Sequence, residues 1–192
     1  MNIGIYIYDD AEVLDFSGPF EVFSTAKRLA NNDWNVFLFA EKSNLVKARG
    51  GFEVKPHFSF ETVPNIDLLI VVGGVHTEEL RKPNVINWIK QYAAESKIVA
   101  SVCTGAFLLA KAGVTVDHSV TTHWEDIADL RREFPELDVQ ENVRWVKQGN
   151  LVASAGISAG IDMSLFLVSE IASMDLAVKT ARQMDYDWQK TA

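Results

Sequence analysis

The chain has 192 residues, 48% of them hydrophobic, and a formal charge of −8; that is enough apolar content for one sizeable core, and one domain over residues 1–192 is expected. The acidic balance argues against a nucleic-acid surface, which needs clustered Lys and Arg, and a single cysteine cannot form an internal disulfide. No apolar run approaches the ~20 residues of a membrane helix, and Met1–Asp10 lacks the basic flank and long apolar region of a signal peptide, so a soluble, cytoplasmic protein is expected.

In chain order, Asn2–Tyr8 reads as an apolar strand and Gly18–Leu29 as an amphipathic helix with Pro19 in its first turn. Trp34–Ala40 is a second strand, and Leu45–Phe60 carries the glycine turn Arg49-Gly50-Gly51-Phe52 of a small hairpin. Asp67–Val72 is a buried strand ending in Gly73-Gly74, followed by a helix over Asn84–Glu95. Lys97–Val102 is another buried strand. It runs through the tight turn Cys103-Thr104-Gly105-Ala106 into a helix that Gly113 closes. A helix over Glu125–Phe134 follows, with Arg131-Arg132 on its solvated side. A hairpin then pairs Val143–Lys147 with Leu151–Ala155 across Gln148-Gly149-Asn150, and helices over Gly160–Ser173 and Asp175–Asp187 complete the pattern. Alternating strands and helices imply an α/β fold, a mostly parallel sheet with helices on both faces.

In such sheets the site lies outside the carboxyl ends of the strands. Three features fall there: Asp15, Gly73-Gly74 and Cys103. A thiol at a strand-to-helix elbow meets the first amides of the helix, which favour the nucleophilic thiolate; an acidic Cys103 is therefore expected. The plainer reading is a small buried hydrophobe. Asp15 reads either as a residue favoured by a helix N-terminus or as a buried carboxyl, protonated beside the thiolate and able to act as acid and base. Gly73-Gly74 is either a plain turn or a close backbone approach, in which the Gly74 and Thr104 amides form an oxyanion hole.

His123, before Trp124, can take the thiol proton, wall a pocket or simply pack. His76 is a further pocket candidate. His57, His76, His118 and His123 show no paired ligand spacing, and no metal is expected. Gly156-Ile157-Ser158-Ala159-Gly160 matches a serine elbow, but no histidine follows Ser158 as hydrolase order requires. A small-residue turn packed against the sheet is the alternative.

Five segments in order carry a resemblance over nearly the whole chain: Leu14–Phe23, Val72-Gly73-Gly74, Ser101–Ala106, Val120–Trp124 and Ser154–Asp162. Together they resemble the ThiJ/PfpI superfamily, also called the DJ-one/PfpI group. The resemblance implies a flavodoxin-like three-layer sandwich, a nucleophilic Cys103 in preference to Ser158, a carboxylic partner near the N-terminus and a homodimer, to which the Gly50-Gly51 hairpin also points. The Val102–Gly105, Leu14–Pro19 and Thr121–Trp124 segments are similar to those of isonitrile hydratases and of the sensor half of AraC-type regulators. The aspartate at position 15, where stress-protective and protease-like members have glutamate, disfavours glyoxalase, deglycase and protease readings. The end at Ala192 leaves no room for a helix-turn-helix half, so no nucleic-acid partner is expected. The expected protein is a cofactor-free enzyme acting on a small molecule. Cys103, Asp15, Thr104 and Gly74 are its catalytic residues, and Gly73, His123, Trp124 and His76 line its substrate pocket. A redox sensor and a non-catalytic ligand-binding domain are the alternatives.

Overall fold

The computed structural model describes residues 1–190; the last two residues of the expected domain 1–192 lie outside the described residues. The apolar, β-branched runs form strands, as their half- or fully buried surroundings favour. The chain begins β1 (Asn2–Tyr6), α1 (Val13–Ala30), β2 (Asn35–Ala40), a hairpin of β3 (Val46–Ala48) and β4 (Phe52–Val54), and edge strand β5 (Phe58–Ser59). It continues with β6 (Leu68–Val71), α2 (Thr77–Leu80), α3 (Pro83–Glu95), β7 (Ile98–Val102) and α4 (Gly105–Lys111). Then come β8 (Ser119–Val120), α5 (Ile127–Glu133), β9 (Asp138–Val139), β10 (Trp145–Gln148), β11 (Leu151–Ser154), α6 (Ala159–Ile171) and α7 (Met174–Gln183).

The main sheet has the order β10-β11-β7-β6-β1-β2-β5. Every neighbouring pair is parallel except the β10–β11 hairpin. Helices α1, α6 and α7 pack on one another, and α2, α3 and α4 form a second group. The expected flavodoxin-like sandwich is the architecture that forms. Its core centres on β6, whose four residues are all buried. The adjacent strands β7, β6 and β1 bring three loops to the middle of one rim. Among the described residues no helix is long and apolar enough to cross a membrane.

Several boundaries differ from expectation. Strand β1 ends at Tyr6, not Tyr8, although the Ile7 N–H still donates to the Phe39 carbonyl at 2.9 Å. Helix α1 begins at Val13, so Pro19 lies inside it and Asp15 falls in its first turn. Proline there leaves the Asp15 carbonyl without its helical donor. Burial of Phe16, Val22 and Phe23 and packing on α6 outweigh that loss. The helix expected over Glu125–Phe134 is a 3₁₀ turn, Trp124–Asp126, followed by α5. The final helix stops at Gln183, four residues short of Asp187. The hairpin expected across Leu45–Phe60 is confined to β3 and β4, and Phe58–Ser59 instead joins β2.

Ile70 is fully buried in β6 between two parallel neighbours. Ile70→Ala leaves a cavity that cannot collapse and lowers stability by about 3 kcal/mol, read as an earlier urea midpoint with an unchanged slope.

Candidate active site

Cys103 follows β7 at the rim, in the left-handed backbone region with φ of 56°. For an L-residue this costs about 1–2 kcal/mol. Two bonds hold it there: the Cys103 N–H donates to the Ser154 carbonyl at 3.1 Å, and the Thr122 hydroxyl donates to the Cys103 carbonyl at 2.9 Å. The side chain is nearly buried, reaching the floor of an open cleft of about 520 Å³. Gly74, Thr104, His76, His123 and Trp124 line the same cleft. Residues from three separate loops, between positions 74 and 124, thus meet around one sulfur.

Asp15 has no exposed surface and lies behind the cleft rather than in its wall. Its Oδ2 accepts from the Gly73 N–H at 3.1 Å and its Oδ1 from the Ile157 N–H at 3.2 Å. Burial pushes the carboxyl from its ordinary 3.8 up to about 7, against those two amides and with the Glu12 charge adding to the rise. Burial first, and then the Asp15 charge, push the neighbouring Cys103 thiol up as well, while the Thr104 N–H works the other way. The acidic thiol expected from the elbow is therefore not found. Helix α4 has only seven residues and supplies a single amide, which does not match desolvation plus a nearby carboxylate. The two groups titrate as a pair that passes from two protons to one at about pH 7.

The glycine pair is set by crowding. A Cβ at Gly73 would lie 2.5 Å from the Thr104 nitrogen and 2.7 Å from the Cys103 Cβ. Gly74, at φ of 145°, meets the backbone of the loop after β1. Its amide, expected to be free for an anion, is taken: the Gly74 N–H donates to Thr104 Oγ1 at 2.9 Å, and that hydroxyl donates back to the Gly74 carbonyl at 3.0 Å. Backbone bonds frame the mouth. Asp10 N–H donates to the Lys47 carbonyl (2.8 Å), Arg49 N–H to Ala11 (3.0 Å), Val75 N–H to Asp10 (3.1 Å) and Glu12 N–H to Gly73 (2.9 Å). Arg49 and Glu12 add an ion pair at 3.3 Å.

His123 is largely buried against Gly156 and stands between this cleft and an adjoining cavity of about 760 Å³. Its Nδ1 lies 3.5 Å from Asp126 and 3.8 Å from Glu125. The carboxylates of Asp15 and Asp126 both raise the thiol. Trp124 stands at the mouth with 75% of its surface exposed. His76 packs on Phe107 at 4.4 Å between ring centres. The Ser158 hydroxyl accepts from Arg144 at 3.3 Å, and Arg144 also pairs with the buried Asp162, so a cation occupies the place a serine base would need. Its segment serves the site through Ile157 instead, whose φ of 60° turns its amide onto Asp15. Among the described residues no group of three or more His, Cys, Asp or Glu is arranged to hold a metal. Sequence reasoning missed Ile157 and Ser154, which act through backbone groups, Thr122, which acts through its hydroxyl, and Tyr8, whose hydroxyl is buried on the same rim.

A model of the DJ-1/PfpI family matches residues 1–170. The chain is 32% identical to "Isonitrile hydratase" of Pseudomonas putida over 187 residues, 97% of this chain and 78% of that protein. It is 22% identical to the HTH-type transcriptional regulator GbdR of Pseudomonas aeruginosa, covering 97% of this chain but only 51% of the regulator. Among solved structures, a ThiJ/PfpI family protein from Pseudomonas syringae superposes with a TM-score of 0.87 at 24% identity, covering 97% of this chain and 75% of that one. Drosophila melanogaster DJ-1beta superposes at 0.84 and 18% identity, over 97% and 98%.

The raised Asp15 fixes a sign for stability. The folded chain keeps a proton up to about pH 7 that the unfolded chain releases near 3.8, so over that window the native state binds more protons and stability falls as pH rises. The full effect is about 4 kcal/mol. Asp15→Asn removes this slope. It also loses one amide acceptor, but that loss is independent of pH. Melting curves at pH 5 and 8 should show the difference between variant and wild type moving in the variant's favour at the higher pH; parallel shifts would contradict the raised carboxyl.

Proposed function

Because the chain belongs to the DJ-1/PfpI family, we propose that it is a cysteine enzyme that hydrates small isonitriles to N-substituted formamides. The observation that carries this reading is the buried Asp15 carboxyl facing the thiol at the floor of an open cleft. Similarity to the relative named isonitrile hydratase supports the substrate class.

The one-proton pair supplies both nucleophile and acid. Ionised Asp15 takes the proton from sulfur, the thiolate forms a C–S bond with the terminal isonitrile carbon, and Asp15 returns its proton to that carbon. The product is a thioimidate. Asp15, again a carboxylate, then draws a proton from water as the water oxygen adds to the same carbon. Asp15 hands that proton to the nitrogen; as the C=O forms the C–S bond breaks and the hydroxyl proton passes to sulfur, releasing the formamide and the thiol. A carboxyl with a pKa near 7 suits both proton transfers. The Thr104 amide stabilises charge on the oxygen, and the Gly74 amide joins it when the Thr104 hydroxyl turns away. His76, His123 and Trp124 wall the space for the substituent, while Gly73 acts from behind by holding Asp15. The same reading takes the protein as a cytoplasmic homodimer, one domain over residues 1–192, that works on small molecules without cofactor, metal or nucleic acid. Ligand sensing without turnover is the second reading, supported by the regulators that share this region.

Turnover of a panel of small alkyl and aryl isonitriles, followed by formamide signals in proton NMR, tests the proposal. Wild type should convert at least one, and Cys103→Ala none, with the melting temperature little changed because the sulfur borders an open cleft. Binding without conversion in the wild type would replace catalysis by sensing. The proton pair has its own readout. Alkylation of Cys103 by iodoacetamide should increase through about pH 7, as Asp15 becomes able to accept the thiol proton. That inflection should vanish in Asp15→Asn.

A further inference from the structure

Tyr8 stands two residues beyond β1, on the rim that carries Cys103, Asp15 and Gly73-Gly74. The residue is 4% exposed, and its hydroxyl is buried with no hydrogen-bond partner. Native interiors rarely keep such an orphan without a reason. Burial first, and then the nearby Asp15 and Glu79 carboxyls, keep its proton on, and Thr104 is the neighbouring hydroxyl that would bond to its oxygen.

Thr104 Oγ1 accepts from the Gly74 N–H and donates to the Gly74 carbonyl, closing a small ring that withholds the amide from the cleft. For that amide to meet an anion, the hydroxyl must turn away. Without a receiver, it would be left unpaired in a buried place, the costly half of hydrogen-bond energetics.

We propose that Tyr8 is a positioning residue of the site: its hydroxyl receives the Thr104 hydroxyl as charge develops on the reacting oxygen, releasing the Gly74 amide to that oxygen. The inference rests on Cys103 acting as the nucleophile. The exchange needs rotation about one single bond, and threonine populates more than one staggered well. The Gly74 N–H passes from a neutral hydroxyl to an anionic oxygen, a stronger bond. In the Nδ1–H tautomer, the His76 ring donates to the Gly74 carbonyl at 3.4 Å and stays with it. The Tyr8 oxygen gains a donor in the same movement.

Tyr8→Phe removes one oxygen that has no hydrogen-bond partner within the protein at rest, so the variant should fold and melt no lower than wild type. Two reactions of Cys103 separate its role from general damage. With p-nitrophenyl acetate, sulfur adds to the carbonyl and the π pair moves to oxygen. Collapse of that oxyanion then expels p-nitrophenolate and leaves a thioester. With iodoacetamide, a C–S bond forms as iodide leaves, and no oxyanion arises. Tyr8→Phe should slow acylation about tenfold, roughly the worth of one hydrogen bond, and leave alkylation unchanged. In a Thr104→Val background, where the Gly74 amide is never tied up, Tyr8→Phe should have no further effect. Equal acylation in Tyr8→Phe and wild type overturns the proposal, as does a parallel loss of both reactions. A wild type that alkylates but never acylates overturns it too, since it has no anion hole to open. Absence of wild-type alkylation removes the nucleophile on which both proposals depend, whereas failure on isonitriles alone leaves this test standing.

Discussion

A carboxyl group with no exposed surface, bonded to amides 58 and 142 residues away in the chain, ties three loops to one point. Asp15 brings the first turn of α1 against the Gly73 turn after β6 and the Ile157 turn before α6. Each bond favours its ionised form, yet burial prevails and the group stays half protonated at neutral pH. The thiol beside it is pushed the same way by the same burial. Two acids that each resist ionisation in one dry place share what charge there is. The site's chemistry therefore belongs to the pair rather than to either residue.

The alternation of strands and helices was open to reading because central parallel strands are continuous apolar runs, such as Leu68–Val72, and helices return the chain between them. Adjacency of β7, β6 and β1 then brought Cys103, Gly73-Gly74 and Asp15 to one rim as expected. What was hidden depends on distance in three dimensions. Local preference set Pro19 at a helix start, while packing of Phe16 and Val22 drew α1 back to Val13. The thiol's proton affinity followed from burial and a carboxylate contributed by another element, neither of which neighbouring residues reveal. In the serine-like motif, the contributor is the backbone of Ile157, and a pattern of side chains does not announce an amide. Tyr8 looked like one more strand residue until its hydroxyl was found without a partner.

The elbow illustrates how strain is carried. Cys103 holds φ of 56° only because β11 and the Thr122 hydroxyl grip both sides of its peptide. Ile157 holds a left-handed conformation of its own, unusual for a β-branched residue. Both strained residues point a working group at Asp15 or at the cleft. Their cost is borne by a core in which β6 and the inner ends of its neighbours are wholly buried.

One side of the cleft's mouth is tied by backbone, where the amides of Asp10, Glu12, Arg49 and Val75 all donate to carbonyls of neighbouring loops. An aperture fixed in that way acts as a sieve rather than a door. For the proposed hydration, whose second half consumes water, an open cleft lets water reach the sulfur by the same route as the isonitrile.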